Sequence, residues 1–337
     1  MIRLSVLDQS VAVAGRPHDV SIRNTVSLAR HCETLGYDRF WVSEHHNHPT
    51  IVGTAPEIVM AAIAATTERI RVGSAGIMLP HYAPFKVAEQ FRVLDALAPG
   101  RIDLGLGRAP GSDGLTAYAL NPMAAERPEQ FPSDVRDLMA WVHGEPLAAG
   151  HPFAKVLAFP RTDTAPEFWI LGSSDFGAQV AAHFGLPYCF AWFFAEGAGG
   201  ERAMELYHRT YRPSERHPEP RGALCVWALA ADSEADAQFH FNSRIRTRLN
   251  RDKGMLTPLG APDASDAAPR DAGEMAKAER MRRDGFVGTP DVVRRRIEEL
   301  AARVQAKEMA VVTWTYDEAV RRHSYALLAR EFGMVPA

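Results

Sequence analysis

Cysteine is scarce in this chain. The 337 residues hold only Cys32, Cys189 and Cys225, too few for a disulfide framework and too far apart for a zinc-binding spacing, so a reducing compartment is expected. An excess of one charge is lacking too: 38 Lys and Arg stand against 41 Asp and Glu, a net charge of -3. Such a balance supplies no field to attract nucleic acid or an anionic membrane surface. No apolar run approaches membrane-spanning length, and Asp8 interrupts the N-terminal stretch before a signal-peptide core could form. The expected location is the cytoplasm, with neither nucleic acid nor membrane as partner. No shift in composition separates two domains, so residues 1–337 are expected to form one.

What is present is apolar material in two alternating periods. Hydrophobic residues make up 46% of the chain, enough for a large core. Ile2 to Leu7 reads as a strand closed by Asp8, Gln9 and Ser10. Ile22, Val26, Ala29 and Cys32 then fall at helical spacing, with Gly36 where a helix end favours a left-handed residue. Tyr37 to Val42 is a second strand, and Pro56 opens a second helix. Arg69 to Leu79 reads as a third strand, whose Gly73 and Gly76 mark close approach either of a ligand or of neighbouring barrel residues. A helix from Pro84 to Leu97 and a fourth strand, Arg101 to Gly107, complete four strand and helix units of parallel type.

The rhythm breaks over residues 109–166, read as an insertion at one end of the barrel that carries a helix through Phe131, Val135, Leu138 and Val142. It resumes with strands at Phe168 to Leu171, Tyr188 to Phe194, Leu224 to Ala230 and Met309 to Trp314, and Thr289-Pro290 caps a late helix. Residues 244–286 are charged, rich in Ala and Pro and weakly periodic, which suits a mobile lid or a partly helical loop. Eight strands with intervening helices predict an α/β fold, a TIM (β/α)8 barrel with an insertion after strand 4.

In such a barrel, function is carried at the carboxyl ends of the strands. Here those ends hold Asp8 to Ser10, Glu44 to His48, Gly76 to Pro80, Gly107 and Arg108, Ser173 and Ser174, and Trp192. A guanidinium suits bidentate recognition of phosphate, and Ser173 and Ser174 stand where a helix amino terminus presents free N–H groups to an anion. A rim salt bridge for Arg108 and a plain helix cap for the serines are the alternatives. Gly105, Gly107 and Gly111 do not have the spacing of a dinucleotide-binding turn. Glu44, His45, His46 and His48 invite a metal, yet adjacent strand residues point to opposite faces, so His45 and His46 cannot both chelate from extended backbone. No metal is expected.

The stretches "FWVSEHH", "VGSAGIMLP", "GRIDLGLGR" and "FVGTPDVVRRRIEEL" occur in the order and spacing of the bacterial luciferase-like flavin monooxygenases, which the chain resembles over nearly its whole length. The resemblance implies a TIM barrel with an insertion after strand 4, reduced FMN supplied by a separate flavin reductase, and O2 as co-substrate. Through a flavin peroxide such an enzyme oxygenates a small organic substrate. Position by position, it implies His45 as the catalytic histidine, a non-proline cis peptide at Ala75-Gly76 beneath the flavin ring, and a flavin phosphate site at Arg108, Ser173, Ser174 and Gly177. It leaves the roles of Glu44, His46 and His48 open and implies a homodimer. Two departures argue against light emission: Gly107 stands where luciferases carry a reactive cysteine, and Ser173 where they carry an acid. A deazaflavin-dependent oxidoreductase and a non-catalytic flavin-binding protein are the alternatives the family offers, and a metal-dependent hydrolase is a more distant one.

Overall fold

A computed structural model describes residues 2–109, 111–123, 129–194, 196–263 and 271–334. The chain begins with β1 (Arg3–Asp8), α1 (His18–Thr34), β2 (Arg39–Val42), α2 (Pro56–Ala64), β3 (Arg71–Ser74), β4 (Ile77–Met78), α3 (Pro84–Leu97) and β5 (Ile102–Gly107). It continues through α4 (Gly114–Leu120), α5 (Phe131–His143), β6 (Glu167–Gly172), α6 (Asp175–Phe184), β7 (Tyr188–Phe190), α7 (Gly200–Thr210) and β8 (Gly222–Ala230). The last third holds α8 (Glu234–Asp252), α9 (Ala272–Asp284), β9 (Phe286–Gly288), α10 (Pro290–Arg303), β10 (Glu308–Val312) and α11 (Glu318–Glu331).

Strands pair in parallel in the order β1, β2, β3, β5, β6, β7, β8, β10, and β10 returns to β1. The ring of eight is closed, so this is the TIM barrel the sequence predicts. Alternation along each strand sorts the side chains. On β1, Leu4 and Val6 pack outward with Leu28 of α1 and Tyr325 of α11, while Leu7 joins Trp41, Trp169 and Cys225 inside the barrel. All three cysteines are buried and unpaired, and burial pushes each thiol far above its ordinary pKa.

The amino-terminal end of the barrel is filled by charge. Arg39, 2% exposed, lies 2.7 Å from Asp103, 2.9 Å from Glu167 and 2.9 Å from Glu308. Arg71 pairs with Asp103 at 2.6 Å and Arg221 with Glu167. The indole Nε1 of Trp41 donates to Asp103 at 2.9 Å, and the Trp41 and Trp169 rings meet edge to face. Close pairing of opposite charges is the condition under which buried ions are tolerated.

Three stretches of the sequence reading take a more definite form in the structure. The expected third strand, Arg69 to Leu79, is broken: β3 ends at Ser74, the Ala75–Gly76 peptide is cis, and β4 resumes pairing with β5 at Ile77. Ser74 bridges the break, donating from Oγ to the Gly105 carbonyl at 2.9 Å and accepting from the Gly105 N–H at 3.1 Å. The glycines here answer to neighbouring protein atoms. A β-carbon on Gly73 would lie 2.6 Å from the Asp103 Cβ, and one on Gly76 would lie 2.8 Å from the Gly105 carbonyl oxygen.

Second, the helix expected within 109–166 is α5, which lies between β5 and β6 and packs on α3. Third, the segment 244–286 contains the end of α8, all of α9 and, at its end, β9, a strand absent from the sequence reading that extends β8 from Ala228 to Ala230. Between the helices, fully buried Leu259 pairs with Val13, and Thr257 accepts a hydrogen bond from Thr50. Residues 110 and 124–128 of the first segment and 264–270 of the second lie outside the described residues. Thr289 occupies the N-cap of α10, but its hydroxyl donates to Asp291 rather than capping the backbone.

Candidate active site

The carboxyl ends of the strands surround a cavity of about 630 Å³. His45, Ala75, Gly76, Arg108, Ser173, Ser174 and Gly177 all line it. Strand ends that converge on one point are a property of the closed barrel, and they bring together residues spread over more than a third of the chain.

His45 follows β2 in a loop pinned from two sides. Its N–H donates to the Gly53 carbonyl at 3.0 Å, and the N–H of His46 donates to the Gly111 carbonyl. The ring of His45 is half-buried, with Nδ1 3.3 Å from Ser43 Oγ and the His48 ring at 5.8 Å. Burial, reinforced by His48 and Arg251, lowers its pKa to about 4, so the imidazole is neutral at pH 7. Among the described residues its Nε2 has no hydrogen-bond partner.

The structure separates the other members of this loop by role. Glu44 is fully buried and accepts from the Tyr82 hydroxyl at 2.7 Å and the Met78 N–H at 3.0 Å, with His46 Nε2 also 2.7 Å away. It therefore ties β2 to β4 and fixes His46. His48 accepts through Nδ1 from the N–H groups of Thr50 and Ile51, which shapes the loop. Asp8 faces outward, paired with Arg321 at 2.7 Å and accepting from Thr25, whereas Gln9 lines the cavity. Trp192 lies on an adjoining side chamber. Among the described residues no group of three metal-binding side chains converges.

At the β5 and β6 ends the cavity wall is made by Arg108, Ser173, Ser174 and the start of α6. The Arg108 guanidinium is exposed, stacked 3.9 Å over the Phe176 ring, with no carboxylate partner among the described residues. Ser174 is the N-cap of α6 but makes no side-chain cap bond, so the first N–H groups of that helix are not satisfied by it. The one acid in the first turn, Asp175, is paired with Arg202 at 3.0 Å. Gly177 lies in the same turn of α6, and a β-carbon there would stand 3.3 Å from the Tyr188 ring.

Sequence reasoning missed one set of lining residues, Arg244 and Arg251 of α8 with Trp314 just beyond β10. Trp314 closes the last predicted strand and could have been named on position alone. The arginines gave no such signal, because they sit in a stretch rich in surface-type charges.

The luciferase-like monooxygenase family profile matches residues 2–306. The chain belongs to that family. It is 40% identical to the Bacillus subtilis (strain 168) protein YwcH over 98% of this chain and 99% of that one. It is 33% identical to the N-acetyl-S-alkylcysteine monooxygenase of the same organism over 98% of each. Among solved structures, apo-MsnO8 superposes with a TM-score of 0.89 at 34% identity, covering 100% of both chains. Family membership makes this luciferase-like monooxygenase a flavin-dependent oxidoreductase.

Proposed function

We propose that the protein is an FMN-dependent monooxygenase that uses reduced flavin from a separate reductase, and O2, to oxygenate a small organic substrate. The observation that carries this reading is the anion cradle: an unpaired guanidinium, two serine hydroxyls and an uncapped helix start, all at one end of a cavity large enough for a flavin and a small molecule. Arg108, Ser173, Ser174 and the N–H groups at the start of α6 would hold the phosphate. Arg202, by pairing with Asp175, offsets the acid in the first turn of α6 that would oppose it.

Reduced FMN, when bound, supplies the electrons that activate O2 for transfer of one oxygen atom to the substrate. The chain's own part is to bind, orient and exclude water. His45 is neutral near pH 7 and can hold or pass a proton at Nε2, while Ser43 and the Gly53 contact fix the orientation of its ring. Glu44 holds the Met78 N–H and with it the strand end that follows Ala75 and Gly76.

Anaerobic titration of the flavin-free protein with reduced FMN, oxidised FMN and a deazaflavin tests this directly. Reduced FMN is expected to bind tighter than the deazaflavin, and oxygenated buffer to consume the bound reduced form. Tighter deazaflavin binding would replace the cofactor. Binding of reduced FMN without any accelerated oxygen reaction would leave a flavin-binding protein and no monooxygenase.

A further inference from the structure

Helix α8 presents Arg244, Arg248 and Arg251 on one face, three and four residues apart. Arg248 is neutralised by Glu196 at 3.2 Å and Asp252 at 3.6 Å. Arg251 stacks on the Phe194 ring at 4.6 Å. Arg244 is different. It is 7% exposed, and among the described residues it has neither a carboxylate nor a hydrogen-bond acceptor. Its guanidinium lies between two indoles, 4.7 Å from the Trp314 ring and 6.0 Å from that of Trp227.

Other buried arginines have carboxylate or carbonyl partners. Arg39 meets three carboxylates, Arg321 meets Asp8 and Glu318, and Arg92 donates to the carbonyls of Pro160 and Thr164. An aromatic face attracts a cation but accepts none of its directional N–H bonds. Burial together with the like charges of Arg248 and Arg251 pulls the pKa of Arg244 down to about 9, which still leaves it charged at pH 7. Among the described residues the Nε1 atoms of Trp227 and Trp314 are also buried without acceptors. Donors thus accumulate here with no acceptor among those residues.

Arg244 lines the main cavity and also a side chamber of about 270 Å³, whose apolar wall is Trp192, Phe193, Trp227, Phe241, Met281 and Phe286 and which Glu196, Arg280 and Asp284 also line. Around the ring of strands, β7 separates the anion cradle at β5 and β6 from β8 and β10, where Trp227 and Trp314 flank Arg244. The cavity therefore has two distinct points for negative charge.

We propose that Arg244 binds the anionic group of the substrate, so that the molecule oxygenated is a small organic carboxylate whose apolar part enters the aromatic side chamber. This rests on the monooxygenase reading for the word substrate, whereas the site itself is defined by Arg244 alone.

The test uses the full chain without flavin. Hydrocinnamate and octanoate, each beside its neutral primary amide, are titrated by calorimetry and by the fluorescence of the tryptophans that flank Arg244. The acids are expected to bind at least about tenfold tighter than the amides, the scale of a charge-assisted hydrogen bond. Arg244→Gln should abolish that preference, and Arg244→Lys, which keeps the charge but not the planar fork, should retain part of it. Because Arg244→Gln removes an uncompensated buried charge, its melting temperature should hold or rise. An unchanged acid preference in Arg244→Gln, no preference in the wild type, or a sharp loss of thermal stability on removing Arg244 would each overturn the proposal. So would a loss of FMN affinity in Arg244→Gln with riboflavin unaffected, since Arg244 would then serve the cofactor phosphate. Failure of the wild type to bind FMN, with acid binding still dependent on Arg244, would strike the cofactor reading and leave this site standing.

Discussion

Gly105 and Ser74 approach so closely that a β-carbon on Gly105 would stand 2.0 Å from the Ser74 carbonyl oxygen. Neither partner can yield, since the Ser74 hydroxyl is bonded to the Gly105 backbone on the same spot. Two residues on, at the same strand's end, Gly107 has nothing nearer than Met78 Sδ at 3.5 Å. Gly105→Ala is expected to cost well over about 3 kcal/mol or prevent folding, and Gly107→Ala to stay within about 0.5 kcal/mol of wild type. Urea denaturation of the two variants measures this, and equal losses would show that the β3 break is not held by close contact.

Glu44 is expected to act on stability before it acts on chemistry. Glu44→Ala leaves the Tyr82 hydroxyl and the Met78 N–H without their acceptor in a buried place, at a cost of about 3 kcal/mol or more. Glu44→Gln, which can still accept one of these bonds, should lose about half as much. A thermal melt unchanged in Glu44→Ala would remove this role.

His45 should influence both turnover and acid stability. His45→Ala is expected to slow oxygenation while flavin affinity is kept, and an unaltered rate would take the residue out of the mechanism. Its folded pKa, about 4, lies below the 6.5 of an unperturbed imidazole, so the unfolded chain binds the proton first. The associated stability is complete above pH 6.5 and is lost as pH falls toward 4. The upper bound is ~3 kcal/mol, and contact with cavity water reduces it. His45→Gln should flatten the dependence of unfolding free energy on pH in that window. It will not abolish it, because burial holds His48 and His143 down in the same direction.

Arg108→Ala should weaken FMN about 10- to 100-fold, the range of a lost charge-assisted contact, and riboflavin by no more than about twofold. Fluorescence titration with both flavins decides it. Equal losses would move the phosphate contact elsewhere.

The residues that could be read from sequence are those whose meaning is local. His45 and Arg108 stand at the ends of recognisable strands, and the closed barrel then carries each to the same cavity. Arg244 could not be read this way, because its significance depends on Trp227 and Trp314, supplied by two other parts of the barrel, and on its having no carboxylate within ion-pair distance among the described residues. The same charge-rich stretch hid α9. The strand β9 was hidden because three residues, Phe286 to Gly288, are too few for a period to show. The break between β3 and β4 was signalled only by Gly73 and Gly76 and by the cis peptide the resemblance implies; what requires the glycines is contact with Asp103 and Gly105, which lie on a neighbouring strand.

The charged layer of Arg39, Asp103, Glu167 and Glu308 has a consequence for traffic. It stoppers the barrel at its amino-terminal end with Arg39, Asp103 and Glu308, all almost wholly buried, so the barrel axis offers no route from that side and traffic to the cavity runs through the loops at the carboxyl ends of the strands.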